Sequence, residues 1–256
     1  MRRSARTRTP QTGVSYAIVS GVAWLRLERA HADNRVTIDV AQAVCDAAAE
    51  IELDGDVRVV VVAAAGPAFC RGVEAGGDWE QTLDWVDAIA RLTRPVIAAV
   101  QGDAIGEGFE LALACDLRVV SDRAHFAMPQ VAEGRLPSHG GTQRLPRIVG
   151  RMRALDLLLT GRTVDAQEAE QMGLASRLVP HREFPRMLAS VTDDVRAKGP
   201  LALRYAKEAV LAGSDLPLDH GIRLEEDLYV LLQTTHDREE GVEAFLRKRK
   251  PVFQGK

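Results

Sequence analysis

The stretch that decides the fold of this protein reads Asp103-Ala-Ile-Gly-Glu-Gly-Phe-Glu-Leu-Ala-Leu-Ala-Cys-Asp116. Two glycines, Gly106 and Gly108, precede an apolar run, and Glu110 falls on the first turn of the helix that this run predicts. Glycine lets a ligand carbonyl approach the main chain closely, and the unpaired N–H groups of a helix start face it. Such a position can stabilise an oxyanion, and the Glu110 carboxylate can move protons on the adjacent carbons. The alternative is a tightly packed helix start whose glutamate favours the helix dipole.

The sequence before this stretch predicts strands and a helix in a layered α/β fold. Residues 16–27 predict a β-hairpin, and residues 38–51 have helical periodicity. Residues 57–65 and 95–100 are β-branched and alanine-rich runs, typical of strands that are covered on both faces. The second run stops at Gly102, so the glycine-glutamate stretch lies where a strand passes into a helix. In layered folds, ligands gather at such strand ends.

The sequence after this stretch predicts two short strands, a pocket loop and a helical region. Short strands are predicted at 117–120 and 124–127, followed by a proline- and glycine-rich loop at 128–142. From Arg147 the pattern is mostly helical, apart from a short strand at 175–179. The organisation predicted is a flexible N-terminal tail at 1–14, a core at 15–195 and a helical C-terminal region at 196–256.

Composition excludes several function classes. The 256 residues are 46% hydrophobic and 27% charged, with a net charge of −3, so no global attraction to nucleic acid or anionic membranes is expected. The 3 cysteines are widely spaced without a CxxC pair, which favours reduced thiols in the cytoplasm. No apolar run is long enough to span a bilayer. No metal-ligand spacing, GxSxG elbow or complete GxGxxG fingerprint is found, so we expect metal-free catalysis.

Several motifs occur in an order and spacing that closely resembles the enoyl-CoA hydratase/isomerase (crotonase) superfamily. Besides Gly106–Asp116 they are Arg94-Pro-Val-Ile-Ala-Ala-Val100, Pro137-x-x-Gly-Gly-Thr-Gln-Arg-Leu-Pro-Arg147, Leu159-Thr-Gly-Arg162 and Arg238-Glu-Glu-Gly-x-x-Ala-Phe-x-x-Lys-Arg249. The resemblance runs from about Tyr16 to the end of the chain. It implies an α/β fold with a spiral core of repeated β-β-α units and a helical C-terminal region used for trimerisation, often in a dimer of trimers. It also implies an acyl-CoA thioester substrate and no cofactor beyond the coenzyme A that the substrate carries.

The resemblance also implies positions for the oxyanion hole and the substrate. Family members hold the thioester carbonyl between two backbone N–H groups, which here fall on Arg71 and Glu107. A preorganised pair of donors suits the charge of a thioester enolate. The residues expected around the substrate are Ala68, Phe69, Cys70, Gly72, Gly106, Gly108, Pro137, Gly140 and Gly141.

The predicted acid pair departs from the family pattern. Hydratases of this family commonly use two glutamates; the first falls on Glu110, but the second falls on Gln130. An amide cannot exchange protons at neutral pH, although it can orient a water molecule. Glu133 and His139 are candidate replacements, each with a structural alternative: a residue at the pocket edge, or a histidine that only makes a loop hydrogen bond.

Glu107 is another unusual residue, because many relatives have glycine or another small residue there. Its side chain, three positions before Glu110, could approach the same region. Like-charge repulsion would then raise the pKa of one carboxyl and create a proton donor near neutrality. The alternative is a solvated acid favoured by the helix start.

We therefore expect an enoyl-CoA hydratase. One alternative is an isomerase, or a C–C bond hydrolase or lyase, that uses Glu110 as its single acid. A further alternative is a non-catalytic homologue that binds acyl-CoA or RNA, since the basic run Arg247-Lys-Arg-Lys250 could attract phosphates. The acidic net charge favours coenzyme A over nucleic acid.

Overall fold

The computed structural model describes residues 6–8, 13–74 and 84–256. Its strands are β1 (Arg6–Arg8), β2 (Val14–Val19), β3 (Val22–Leu27), β4 (Val59–Ala64), β5 (Val96–Val100), β6 (Ala104–Ile105), β7 (Leu117–Ser121), β8 (His125–Ala127), β9 (Val164–Asp165) and β10 (Arg177–Val179). Its helices are α1 (Ile38–Leu53), α2 (Trp85–Ala90), α3 (Glu107–Ala114), α4 (Gly141–Val149), α5 (Arg151–Thr160), α6 (Ala166–Gln171), α7 (Phe184–Arg196), α8 (Pro200–Gly213), α9 (Leu218–Gln233) and α10 (His236–Leu246). A 3₁₀-helix spans Pro129–Glu133.

A seven-stranded sheet forms the core, with the strand order β1-β2-β3-β4-β5-β7-β10. The hairpin predicted at 16–27 is confirmed as β2 and β3, which turn at Ser20 and Gly21 with positive φ angles of 52° and 81°. Strands β3, β4, β5, β7 and β10 run parallel to one another. All five residues of β5 are buried, as the apolar sequence of a doubly covered strand predicts.

A small second sheet positions the functional stretch. It contains β6, β8 and β9, and a bridge between Cys70 and Ala104 extends it toward Arg71, one of the two expected oxyanion donors. The chain leaves the large sheet after β5, crosses the small sheet as β6 and enters α3. It repeats this course from β7 through β8 toward α4. The α/β class and the repeated β-β-α course are as expected.

Some elements differ from the sequence-based expectation. Arg6–Arg8, within the predicted tail, pairs antiparallel with β2, so the tail prediction does not extend to these residues. The sequence around Trp79 to Leu92 also has helical character, and the structure describes a helix there from Trp85, whereas Trp79 lies outside the described residues. Trp85 itself is fully buried in the core. The loop expected at 128–142 contains the 3₁₀-helix and ends where α4 begins at Gly141.

The C-terminal helices leave apolar side chains exposed. Helix α8 has no fully buried residue, and α9 has one, Leu228. Leu218 and Phe245 are 80% and 82% exposed, and further exposed apolar residues include Val210, Leu211, Tyr229, Val230 and Leu246. These helices therefore present an apolar surface that the described part of the chain does not cover. Across the described ranges, no helix is long and apolar enough to cross a membrane.

Candidate active site

The start of α3 is a point of close backbone approach. A Cβ atom on Gly108 would lie 2.0 Å from the carbonyl oxygen of Cys70, so no residue with a side chain fits there without moving the backbone. Gly106 precedes the helix with a φ of +57° and donates to the Ala127 carbonyl at 2.8 Å. The two glycines thus let three segments meet around the first turn of α3, which carries Glu110.

Glu110 is fully buried and held by the loop that precedes α4. Its Oε1 accepts hydrogen bonds from the backbone N–H groups of His139 and Gly141, both at 2.8 Å. A Cβ on Gly141 would lie 3.0 Å from this oxygen, so glycine leaves room for the carboxyl group. The Gln130 amide nitrogen lies 3.4 Å from Oε2. The structure therefore brings together Glu110, Gln130 and His139, three candidate site residues predicted from the sequence.

Glu110 can exchange a proton near neutral pH. Burial raises its pKa to about 7, opposed by the Gly141 and His139 hydrogen bonds and aided by the negative charge of Glu107. Such a carboxyl is populated in both its acid and its base form, as general acid–base chemistry requires. The like-charge effect predicted for Glu107 acts in the expected direction, but burial is the larger cause.

Glu107 occupies different surroundings on the same turn. Its Oε1 accepts a hydrogen bond from Arg135 Nη1 at 2.9 Å, and its Oε2 accepts one from the Val73 N–H at 3.3 Å. Its side chain is 5% exposed. A Cβ on Gly72 would lie 2.6 Å from Oε2, so the carboxylate packs against the backbone next to Arg71. The alternative of a solvated acid is wrong for this side chain.

The two expected oxyanion donors differ in their present hydrogen bonds. The Glu107 N–H is at the first position of α3, where the helix supplies no acceptor. The Arg71 N–H donates to the Asp33 carbonyl at 3.1 Å. The Arg71 side chain points toward Asp103, whose Oδ2 accepts from Nε at 3.0 Å. A thioester oxygen at Arg71 would have to replace or share the Asp33 acceptor.

Gln130 and Glu133 have different locations although both lie in the 3₁₀-helix. Gln130 is fully buried, and its Oε1 is one of two buried side-chain atoms in the described ranges that lack a hydrogen-bond partner; the other is Trp85 Nε1. A buried carbonyl oxygen that accepts no hydrogen bond lowers the stability of the fold. The position therefore suits a ligand or a water molecule that donates a hydrogen bond to Gln130 Oε1. Glu133 is 53% exposed and bonds Arg135 at 2.6 Å. The structure does not bring Glu133 to Glu110.

The His139 side chain borders the site on the side of Trp85. The two rings meet edge to face with centroids 5.8 Å apart. Burial lowers the pKa of His139, which favours the neutral imidazole. Arg144 supports this part of the loop, because its Nη1 donates to the His139 carbonyl at 2.6 Å and its Nη2 reaches Asp87 at 3.2 Å. The sequence analysis assigns no role to Arg144 or Arg135. Arg144 stands in the motif Pro137–Arg147, but its contacts with the His139 carbonyl and Asp87 are visible only in the fold.

Comparisons with known proteins agree with this fold and site. Residues 17–256 match the sequence model of the enoyl-CoA hydratase/isomerase family. The chain belongs to this family. The (E)-benzylidenesuccinyl-CoA hydratase of Thauera aromatica is 33% identical over 253 residues, which are 94% of this chain and 99% of that protein. The probable enoyl-CoA hydratase echA8 of Mycobacterium tuberculosis is 36% identical over 242 residues, covering 90% and 93% of the two chains.

A solved structure shows that this enoyl-CoA hydratase/isomerase family member keeps the family fold. The crystal structure of an enoyl-CoA hydratase from Bacillus anthracis superposes with a TM-score of 0.90 at 34% identity. The match covers 96% of this chain and 100% of the other. The crotonase fold predicted from the motifs is thereby confirmed.

The residues that the family pattern places around the substrate lie on two sides of Glu110. Those of the first side are Ala68, Phe69, Cys70 and Gly72, all buried and adjoining β6. Those of the second side are Pro137, Gly140 and Gly141, at the approach to α4. Gly106 and Gly108 lie between them at the start of α3. Their contact with a substrate stays a prediction. Within the described ranges, no group of three His, Cys, Asp or Glu side chains could hold a metal ion.

Proposed function

We propose that the protein is an enoyl-CoA hydratase in which Glu110 is the single carboxyl that moves protons. One observation carries the proposal: Glu110 is fully buried, held by two backbone N–H groups, and has a pKa of about 7. This group can take a proton from water and return it without leaving the site. Family membership supports acyl-CoA thioesters as the substrate class.

The geometry supports a two-step addition. Ionised Glu110 accepts a proton from water while the water oxygen bonds to the β-carbon, and the π electrons move onto the thioester oxygen as an enolate. The Glu107 N–H, together with the Arg71 N–H, stabilises that oxygen. The enolate then collapses, and Glu110 returns the proton to the α-carbon. One carboxyl thus supplies both proton transfers, and the atoms of one water molecule are added across the double bond.

Gln130 orients the water in this scheme. Its amide nitrogen contacts Glu110, and its carbonyl oxygen lacks a donor. A water that donates one hydrogen to Gln130 Oε1 and the other to Glu110 directs its lone pairs away from both, toward the substrate. Gln130 therefore positions the nucleophile but does not exchange protons.

The same observation favours a second candidate reaction. With one exchangeable carboxyl, Glu110 could remove a proton from one carbon of an enoyl-CoA and return it to another, which moves the double bond. A C–C bond cleavage through the same enolate would also need only one acid. These reactions share the oxyanion and Glu110 with hydration. Isomerisation leaves water out of the product, whereas hydration adds water to an intact carbon chain and C–C cleavage shortens that chain.

Isotope incorporation separates these reactions. Linear, cyclic and aromatic enoyl-CoAs are incubated with the enzyme in H₂¹⁸O and in D₂O, and the products are analysed by mass. Hydration predicts ¹⁸O at the β-carbon; isomerisation predicts deuterium without ¹⁸O and without a mass gain of one water. Glu133→Gln is the matched control, because it removes a nearby carboxylate that does not reach Glu110. Absence of ¹⁸O from every substrate would exclude hydration, and absence of any product would favour the non-catalytic alternative.

The same proposal includes a homotrimer, or a dimer of trimers, working in the cytoplasm without a cofactor beyond the coenzyme A of the substrate. The uncovered apolar residues of α8, α9 and α10 support association with further copies, since water-exposed surfaces of this kind usually mark interfaces. Light scattering on the purified chain should give a mass of three or six subunits. A monomer would contradict this part of the proposal.

A further inference from the structure

Arg135 joins two acids at the edge of the site. Its Nη1 donates to buried Glu107 at 2.9 Å, and its Nη2 donates to exposed Glu133 at 2.6 Å. We propose that Arg135 is a positioning residue: it clamps the Glu107 carboxylate against the backbone of Gly72 and Val73, next to Arg71, and so holds the loop that carries the hydrogen-bond donors of Glu110. This inference rests on the proposed function in one respect: there the Glu107 N–H binds the thioester oxygen and the Glu110 carboxyl moves protons on the adjacent carbons.

The Glu107 carboxylate connects three separate segments. It extends from the first turn of α3, accepts from the Val73 N–H in the segment that follows Arg71, and accepts from Arg135 in the loop before α4. The contact with Gly72 is close enough that a methyl group there would clash with Oε2. Glu107 therefore fixes the distance between the expected oxyanion donors, with Arg135 closing the contact from the third side.

Arg135 also begins the loop that ends at the Glu110 ligands. Its N–H donates to the Gln130 carbonyl at 2.8 Å, and four residues later the His139 N–H donates to Glu110. Arg144 holds the far end of the loop through the His139 carbonyl. The loop is thus pinned at both ends by arginines, and of these two arginines it is Arg135 that bonds a side chain of the turn that carries Glu110.

The charge of Arg135 matters as much as its position. A buried carboxylate beside the Glu107 N–H would oppose the negative charge that develops on a thioester enolate. The guanidinium offsets that charge. The charged groups that act on Glu110 are Glu107 on its own helix and Arg144 on α4. His139 in the loop acts on it through a backbone N–H, and the adjoining Gln130 is neutral. Changing Glu107 alters the charge that acts on Glu110, and changing Arg135 alters the compensation of that charge. Neither residue donates a hydrogen bond to Glu110.

The test uses two substitutions with opposite predicted effects. Carboxyl ¹³C NMR of the ligand-free full chain, with Glu110→Gln assigning the signal, measures the Glu110 pKa. Arg135→Gln leaves Glu107 uncompensated and should raise this pKa by about one unit, whereas Glu107→Gln should lower it by about one unit. Arg135→Lys keeps the charge and should leave it within about 0.3 unit of the native value. Arg162→Gln is the control, because Arg162 also joins two acids, Asp156 and Glu168, but these acids are neither Glu107 nor Glu110.

Turnover provides the second readout. In Arg135→Gln the kcat/KM should fall about tenfold with its pH profile displaced upward, and Arg135→Lys should recover most of the loss. An unchanged Glu110 pKa in both Arg135→Gln and Glu107→Gln, or shifts of the same sign, would overturn the proposal. If Arg135→Gln does not fold, the proposal is decided by the other two variants: the Glu110 pKa should be lower in Glu107→Gln and unchanged in Arg135→Lys. Because the NMR titration needs no substrate, opposite shifts in an inactive protein would reject the proposed function and leave the clamp standing.

Discussion

The first turn of α3 carries two buried carboxyl groups, Glu110 and Glu107, in different surroundings. The comparison shows that the hydrogen-bond donors around a buried carboxyl group determine its role. Both residues are almost fully excluded from water and lie three positions apart. Glu110 receives only neutral donors, and burial raises its pKa to about 7. Glu107 receives a guanidinium and one backbone N–H. Glu110, bonded only by neutral groups, exchanges protons near neutrality, whereas Glu107, bonded by a guanidinium, holds separate segments together.

The largest difference should appear in turnover. Glu110→Gln removes the exchangeable proton but keeps the shape of the side chain, so kcat should fall by about 10³-fold while thioester binding is largely retained. Glu107→Gln is the matched variant on the same turn and should lose far less. Steady-state kinetics and calorimetric titration with a non-reactive acyl-CoA measure the two quantities. An equal loss of kcat in Glu110→Gln and Glu107→Gln would contradict the different roles assigned to the two carboxyl groups.

The second difference concerns stability against pH. The pKa of Glu110 is higher in the folded chain than in the unfolded chain. Its contribution to the free energy of unfolding is therefore fully present below the unfolded pKa near 4.5 and is lost as the pH rises through about 7. At about pH 8, Glu110→Gln should therefore be more stable than the native chain by up to about 3 kcal/mol. Glu107→Gln should give no such gain, because it leaves Arg135 without its buried partner. Urea unfolding at several pH values checks both signs, and a destabilised Glu110→Gln would contradict them.

The smallest expected change is a gain from restoring a second acid. Gln130→Glu places a carboxyl about where the amide contacts Glu110, and two adjacent carboxyls share one proton. The hydration rate, followed by ¹⁸O incorporation, should rise about tenfold. Gln130→Leu, which keeps the volume but cannot orient water, should lower the rate. A faster Gln130→Leu would rule out the water-orienting role of Gln130.

Much of the fold could be predicted because its signals are local. The apolar run of β5, the turn at Ser20 and Gly21 and the helix breaks at glycine and proline each depend on neighbouring residues. The pairing of Arg6–Arg8 with β2 was not predicted, because its sequence has no strand periodicity and the partner strand supplies the hydrogen bonds. The two-residue strands β6 and β9 are too short for a periodic pattern.

The site could be predicted only in part, because its central contacts join distant positions. Glu110, Gln130 and His139 follow from motif order, and the structure brings them together. The Arg135–Glu107 pair spans 28 positions and has no sequence pattern of its own. The same holds for the ring contact of Trp85 with His139. Such contacts depend on how the loop before α4 packs against α3, which spacing does not encode.

Exchange of the α-proton tests most directly whether Glu110 alone moves protons at the carbons beside the thioester. A saturated acyl-CoA, which can be neither hydrated nor isomerised, is incubated with the protein in D₂O, and deuterium at the α-carbon is measured by mass. We predict exchange with the native chain and with Glu133→Gln, and none above background with Glu110→Gln. Exchange at the native rate in Glu110→Gln would contradict the account.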